Sequence, residues 1–299
     1  MTIQMLQILT IYLLLLHYVI ANIAYSVSTP FPQWLTDITG LKKWPGLDPP
    51  FIPNIKLDNI PENSRYNHER CRTRWGYSPP KNCSFDCDGC CSKTDIYTCS
   101  TFTQTFDDGP SIYTNQLLDN FKGKANFFTI GLNIATYPDI FKRMINEGHF
   151  IGTHTWSHKH LPSLSNRQIA AQLQWSIWIM NATAGVIPKY FRPPYGGLDN
   201  RVRAVAARLN LTPIVWNFDT FDWKLSKNQI TEEDILKNVR EWKKKYTEGI
   251  ILEHDTAEKN VKVALQINDI IGSNQMKVDT CLPAHSQLST IKLPLDKQY

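Results

Sequence analysis

The chain has 299 residues, 42% hydrophobic and 20% charged, with a formal net charge of +5. That composition supplies the apolar surface for a sizeable core and excludes a disordered chain. The charge is modest and scattered, apart from the helix-end run Lys243-Lys-Lys245, which argues against a nucleic-acid-binding protein with a basic face.

Residues 5–20 are apolar and lead into Ala21-Asn-Ile-Ala-Tyr-Ser26, the form of a secretory signal peptide, residues 1–24, with cleavage after Ala24 or Ser26. An uncleaved membrane anchor is the competing reading, although no basic flank appears on either side before Lys42. No later stretch is long and apolar enough to span a bilayer. Residues 25–99 form an N-terminal extension. Within it, residues 27–70 are rich in Pro and Asn without a clear period and read as an extended arm. Cysteines then crowd together at Cys71, Cys83, Cys87, Cys90, Cys91 and Cys99, with Cys281 apart. In an exported protein they read as disulfides, with at least one thiol left over. A zinc cluster at Cys87-x-x-Cys90 competes poorly with export. A carbohydrate-binding module using Trp75, Tyr77 and Phe85 stays open as an alternative to a purely structural role. Asn82, Asn181 and Asn210 head glycosylation sequons.

Residues 100–282 alternate strands and helices. Thr101–Phe106 and Ala125–Ile130 are predicted strands, and Pro138–Glu147 is a helix with Ile140, Phe141, Met144 and Ile145 on one face, closed by Gly148. His149–Gly152 is strand-like. Ser165 and Gln168 form a capping box that opens a helix ending near Gly185. Tyr190–Arg192 is a strand, Asp199–Leu209 a helix and Thr212–Phe218 a strand. A helix starts at Thr231-Glu-Glu-Asp234, a buried strand follows at Gly249–Leu252, then a helix at Glu258–Ile271. This alternation predicts an α/β fold with a parallel sheet, open or closed into a barrel. Residues 283–299 are a short tail with neither a Ser/Thr-rich stalk nor a hydrophobic end, so a lipid anchor is not supported.

Five motifs fall at or just after strand ends: Thr105-Phe-Asp-Asp-Gly-Pro110, His154-Thr-Trp-Ser-His158, Arg192-Pro-Pro-Tyr-Gly196, Asp219-Thr-Phe-Asp-Trp223 and Ile251-Leu-Glu-His-Asp255. Sheet enzymes assemble their sites at that edge. His154 and His158, four apart, face one way on a helical turn and suit one metal ion. With a carboxylate they leave coordination positions open for water and substrate. Asp107 and Asp108, at a strand end breaking into Gly-Pro, divide the labour: one ligates, the other takes a proton from water. Alone, the pair would read as a surface turn. His254 is placed to give a proton to a leaving nitrogen, with Asp222 to hold and charge it. Arg192 is a partner for Asp107, and Trp223 and Leu252 are either the wall that receives a small acyl methyl or part of the core.

Together the motifs resemble the family-four carbohydrate esterases, the polysaccharide deacetylase or NodB-homology family, over about residues 100–282. The resemblance implies a distorted, incompletely closed (β/α) barrel carrying the cysteine-stapled extension. It implies Asp107 as general base, and Asp108, His154 and His158 as ligands of a divalent ion, zinc or alternatively cobalt. Arg192 would orient the base, the Tyr195 backbone N–H would hold the oxyanion, and His254 would be the general acid assisted by Asp222. Trp223 and Leu252 would line the acetate pocket. The run from Cys83 to Cys99 is similar to that of fungal, yeast-type chitin deacetylases. That similarity implies a Cys99–Cys281 bridge, Cys91 as the odd thiol, and a secreted monomer acting on chitin in a cell or spore wall. Deacetylation of xylan or peptidoglycan, or a non-catalytic chitin-binding role, are the alternatives.

Overall fold

The computed structural model describes residues 27–62 and 83–281; the signal segment, Cys71, Trp75, Tyr77, the Asn82 sequon and the tail lie outside them. The centre is a sheet of seven parallel strands in the order β5-β4-β3-β2-β1-β7-β6. The strands are β1 (Phe102–Asp107), β2 (Asn126–Thr129), β3 (Phe150–Thr153), β4 (Tyr190–Phe191), β5 (Thr212–Pro213), β6 (Phe218–Asp219) and β7 (Gly249–His254). Every residue of β1 is buried, as expected of a central parallel strand covered on both faces. It pairs with β7 from Phe102↔Gly249 to Asp107↔His254, which sets the first and last motifs side by side.

The predicted strand Thr212–Phe218 is two strands, β5 and β6, at opposite edges of the sheet. Laid flat, seven strands spaced about 4.8 Å apart would put those edges roughly 29 Å from each other. Five residue steps, from Pro213 to Phe218, reach at most about 18 Å. The sheet must therefore curl until its edges nearly meet, the half-closed barrel that the sequence implied. The crossing residues are tied on both sides. Ile214 forms a parallel bridge with Ile96, and the Asn217 side chain accepts from the Ile250 N–H at 2.7 Å.

Helices cover the outside: α1 (Gln33–Thr39), α2 (Phe85–Asp88), α3 (Thr114–Asn120), α4 (Gly131–Thr136), α5 (Pro138–Asn146), α6 (Asn166–Ala184), α7 (Asn200–Ala207), α8 (Glu232–Lys245) and α9 (Glu258–Ile271). The Ser165–Gln168 capping box opens α6, and Gly185 closes it at a φ of 68° that favours glycine. In α8 a second box pairs Thr231 with Asp234. Acidic residues fill its first turn and Lys243, Lys244 and Lys245 its last, complementing the helix dipole.

Residues 27–62 are a packed layer, not a loose extended arm. Leu35 on α1 is fully buried, and Trp44 joins the main core beside Phe106, Phe127, Phe141, Trp156 and Trp175. The indole N–H groups of Trp156 and Trp175 donate to the carbonyls of Gly46 and Pro50, both at 2.8 Å. Trp44 donates to Thr29 at 2.9 Å. Buried tryptophans need such partners, and this segment supplies them.

Disulfides join Cys83 to Cys90 and Cys99 to Cys281, and Cys87 is also disulfide-bonded. Cys91 is the free cysteine among the described residues. Of the sequons, Asn210 is exposed in the turn after α7, whereas Asn181 is half-buried in the last turn of α6.

Candidate active site

Asp107 ends β1, and Asp108 follows in the left-handed region at φ 74°. That turn stops the side chains from alternating faces. Oδ2 of Asp107 and Oδ1 of Asp108 lie 3.7 Å and 3.4 Å from the same nitrogen, His154 Nε2. The turn is held by the Asn133 side chain, which donates to the Asp108 carbonyl at 2.6 Å. Gly109 has no room for a side chain: a Cβ there would stand 2.5 Å from an Asp255 carboxylate oxygen.

His154 follows β3, and its Nδ1–H donates to the Arg192 carbonyl at 2.8 Å, leaving the Nε2 lone pair facing the carboxylates. The two histidines do not share a helical turn. Thr155 and His158 take positive φ values of 70° and 57°, and this strained turn returns His158 to within 3.2 Å of Asp108 Oδ1. Burial holds both imidazoles below their ordinary pKa, His154 well below with a second push from His158. Asp108 Oδ1 is buried without a hydrogen-bond partner. The ligand atoms of Asp108, His154 and His158 all lie within 4.8 Å of one another. Two imidazole nitrogens and one carboxylate oxygen gathered this closely fit a divalent cation, and that donor set is one that zinc accepts.

Arg192 follows β4 and is fully buried. Its Nη1 donates to Asp107 Oδ1 at 2.8 Å and to the Thr105 hydroxyl at 2.7 Å. Its guanidinium lies 4.0 Å from the centre of the Phe128 ring and 5.6 Å from that of Trp216, an aromatic slot that fixes its plane. Burial pushes the Asp107 carboxyl up to about 6, against the opposing pull of Arg192.

His254 ends β7. Asp222 is buried and receives the His254 Nδ1–H at 2.7 Å, the His254 backbone N–H at 2.8 Å and the Asn260 amide at 3.0 Å. Burial alone would lower the His254 pKa. The charge and hydrogen bond of Asp222, helped by Asp108 and Asp107, outweigh it and raise the ring to about 10. One end of the barrel thus carries a buried carboxyl whose pKa is raised, Asp107, and an imidazole held in its charged form, His254.

Tyr195 lies in a short turn after Arg192 at φ 60°, with its exposed ring 4.5 Å from that of His158. Trp223 follows Asp222 directly and is partly exposed, and Leu252 is buried two residues before His254. Sequence reasoning passed over Thr105, Asn133 and Asn260, whose roles depend on partners remote in the chain. It also gave no role to Asp219 and Asp255, although both lie inside the motifs. Burial raises each of these carboxyls to about 7.

Residues 96–214 match the profile of the polysaccharide deacetylase family. Chitin deacetylase 2 of Saccharomyces cerevisiae is 52% identical, across 86% of this chain and 82% of the relative. Chitin deacetylase 1 of the same yeast is 49% identical, across 86% and 85%. Among solved structures, the Bc1960 peptidoglycan N-acetylglucosamine deacetylase superposes with a TM-score of 0.53 at 32% identity, covering 60% of this chain and 85% of that one.

Proposed function

The chain belongs to the polysaccharide deacetylase family, and from that premise we propose that it removes N-acetyl groups from the N-acetylglucosamine units of chitin, releasing acetate and leaving chitosan. One observation carries the reading: Asp108, His154 and His158 converge beside a separate carboxylate, Asp107, with the charged His254 nearby. A divalent ion held by Asp108, His154 and His158, zinc in our reading with cobalt as an alternative, supplies a Lewis acid that acidifies water and polarises a carbonyl.

The chain's own groups perform the proton transfers. Asp107 accepts a proton as the water oxygen adds to the acetamide carbon, and Arg192 keeps that carboxylate turned toward its task through the 2.8 Å bond. The oxygen of the former carbonyl becomes negative and takes the backbone N–H of Tyr195 as a partner. His254 gives its proton to the nitrogen as the C–N bond breaks, while Asp222 balances the charge and fixes the ring. Trp223 and Leu252 form the wall that receives the acetyl methyl.

Identity near 50% to two chitin deacetylases over most of both chains favours chitin above other acetylated polymers. One chain holds every group named, so a monomer suffices. The Cys83–Cys90 and Cys99–Cys281 disulfides fit an oxidising compartment, and we place the protein outside the cell, at a cell or spore wall. Among the described residues no helix is long and apolar enough to cross a membrane. Acetate release from N-acetylglucosamine oligomers, with and without a chelator, tests the proposal, with acetylated xylan and peptidoglycan run beside them. Chelator-sensitive release that is fastest on the chitin oligomers supports it. Binding of the oligomers without release overturns it, as does faster turnover of another polymer.

A further inference from the structure

The cysteine-closed loop 83–90 lies outside the residues matched to the family profile, and it packs against the active site from behind. Five contacts define the arrangement. The Phe85 N–H donates to the Leu198 carbonyl at 2.9 Å. The Phe85 ring lies against Gly196, where a Cβ would meet it at 3.0 Å, and against Trp216 with ring centres 5.2 Å apart. Asp86 accepts the His160 Nε2–H at 2.9 Å. His160 in turn fills the space beside Gly197, where a Cβ would stand 2.8 Å from its ring.

The loop itself is clamped. Arg203 on α7 donates to the Cys83 carbonyl at 2.6 Å and to the Cys90 carbonyl at 3.2 Å, and pairs with buried Asp95 at 2.6 Å. The Cys83–Cys90 bridge closes a ring of few residues around α2. Ahead of this support stands Tyr195, at a positive φ that its own side chain disfavours, with its ring 4.5 Å from His158. A residue held in such a conformation needs surroundings that over-determine it. Gly196 and Gly197 cannot supply them; the Phe85 ring and the Asp86–His160 pair do. Trp216, gripped by Phe85, also faces the Arg192 guanidinium.

We propose that the disulfide-closed loop is a positioning device for catalysis: Phe85 and Asp86 fix the Tyr195 turn against His158, and the Cys83–Cys90 bond keeps them in place. The loop is then neither a separate sugar-binding module nor a staple for stability alone. The catalytic consequence rests on the function proposed above, whereas the mechanical link to the Tyr195 turn does not.

The test compares Phe85→Ala, Phe85→Leu and Asp86→Asn with the wild type in three readouts: kcat and KM for acetate release, bound divalent ion per chain, and hydrogen exchange of the 195–198 amides. Misplacing a group by about an ångström costs on the order of a hundredfold in rate. Phe85→Ala should lower kcat by ten- to a hundredfold with KM and ion content unchanged, and should speed exchange at 195–198 but not in β1. Phe85→Leu should restore most of the rate. Asp86→Asn, which keeps shape and removes the charge facing His160, should give a smaller loss of kcat. Faster exchange with an inactive wild type would refute the proposed activity and leave the mechanical link standing. Unchanged exchange, or a kcat within twofold of wild type in Phe85→Ala, would overturn the positioning role. So would a loss confined to thermal stability.

Discussion

Replacing Asp222 with Asn removes a charge from the site with almost no change of shape. The Asp222 carboxylate faces three donors: Nδ1–H and N–H of His254 and the amide of Asn260. A carboxamide keeps one acceptor oxygen and turns the other position into a donor. With its oxygen toward the backbone N–H and Asn260, the new NH2 faces Nδ1, which must then be the bare nitrogen of a neutral ring. Burial, the largest influence on His254, would be opposed only by Asp108 and Asp107, so the ring falls from about 10 to roughly 6.5 or lower. A fall of at least about 3.5 units is on the order of 5 kcal/mol. At about pH 8 the protonated fraction drops from nearly all to roughly 3%, and acid-assisted turnover should drop about thirtyfold.

The assay is kcat against pH on an N-acetylglucosamine oligomer, with bound metal measured in parallel. The alkaline limb of the variant should move down by about 3.5 units or more while metal content stays constant. Stability changes in a defined direction too. A folded pKa raised above the unfolded one contributes stability that is complete below about 6.5 and lost as pH rises through about 10. Urea midpoints of variant and wild type should therefore differ most near about pH 6 and converge at the alkaline end. An unshifted alkaline limb with an unchanged rate at about pH 8 would refute this reasoning.

Two further outcomes follow from the packing. Trp44→Ala empties a site 7% exposed between Trp156 and Trp175 and should cost about 3–5 kcal/mol in urea unfolding; a loss under about 1 kcal/mol would show that residues 27–62 do not share the barrel's core. Burial pushes the Cys91 thiol up to about 12, so it should resist iodoacetamide in the native protein and react on unfolding; ready alkylation of the native form would contradict that.

Much of the architecture was legible because it depends on local signals. Ser165 with Gln168, Gly185, and Thr231 with Asp234 mark helix ends through bonds made within a few residues. The apolar run Ile250-Ile-Leu252 marks β7 as a buried parallel strand. The run Thr212–Phe218 misled because hydrophobicity reports burial and not pairing. A segment crossing the gap of a curled sheet is as apolar as a strand, and only the partners of Ile214 and Asn217 distinguish them. The spacing of His154 and His158 suggested a helical turn, since nothing local announces positive φ at Thr155 and His158. Surrounding structure holds that strain, and Gln172 contributes by accepting the Ser157 N–H at 3.0 Å. The helix and the tryptophan of the N-terminal segment were hidden for a related reason. Prolines mask the period, and Trp44 gains its meaning from Trp156 and Trp175, more than a hundred residues away.

The measurement closest to the heart of the account is made on Asp107→Asn: divalent ion bound per chain, and acetate released from an N-acetylglucosamine oligomer. With Asp108, His154 and His158 untouched, the variant should hold one ion as tightly as the wild type while turnover falls by about 10²- to 10⁴-fold, the usual worth of a general base. A variant that binds no ion, or one that releases acetate near the wild-type rate, would contradict the division of labour between the two neighbouring carboxylates.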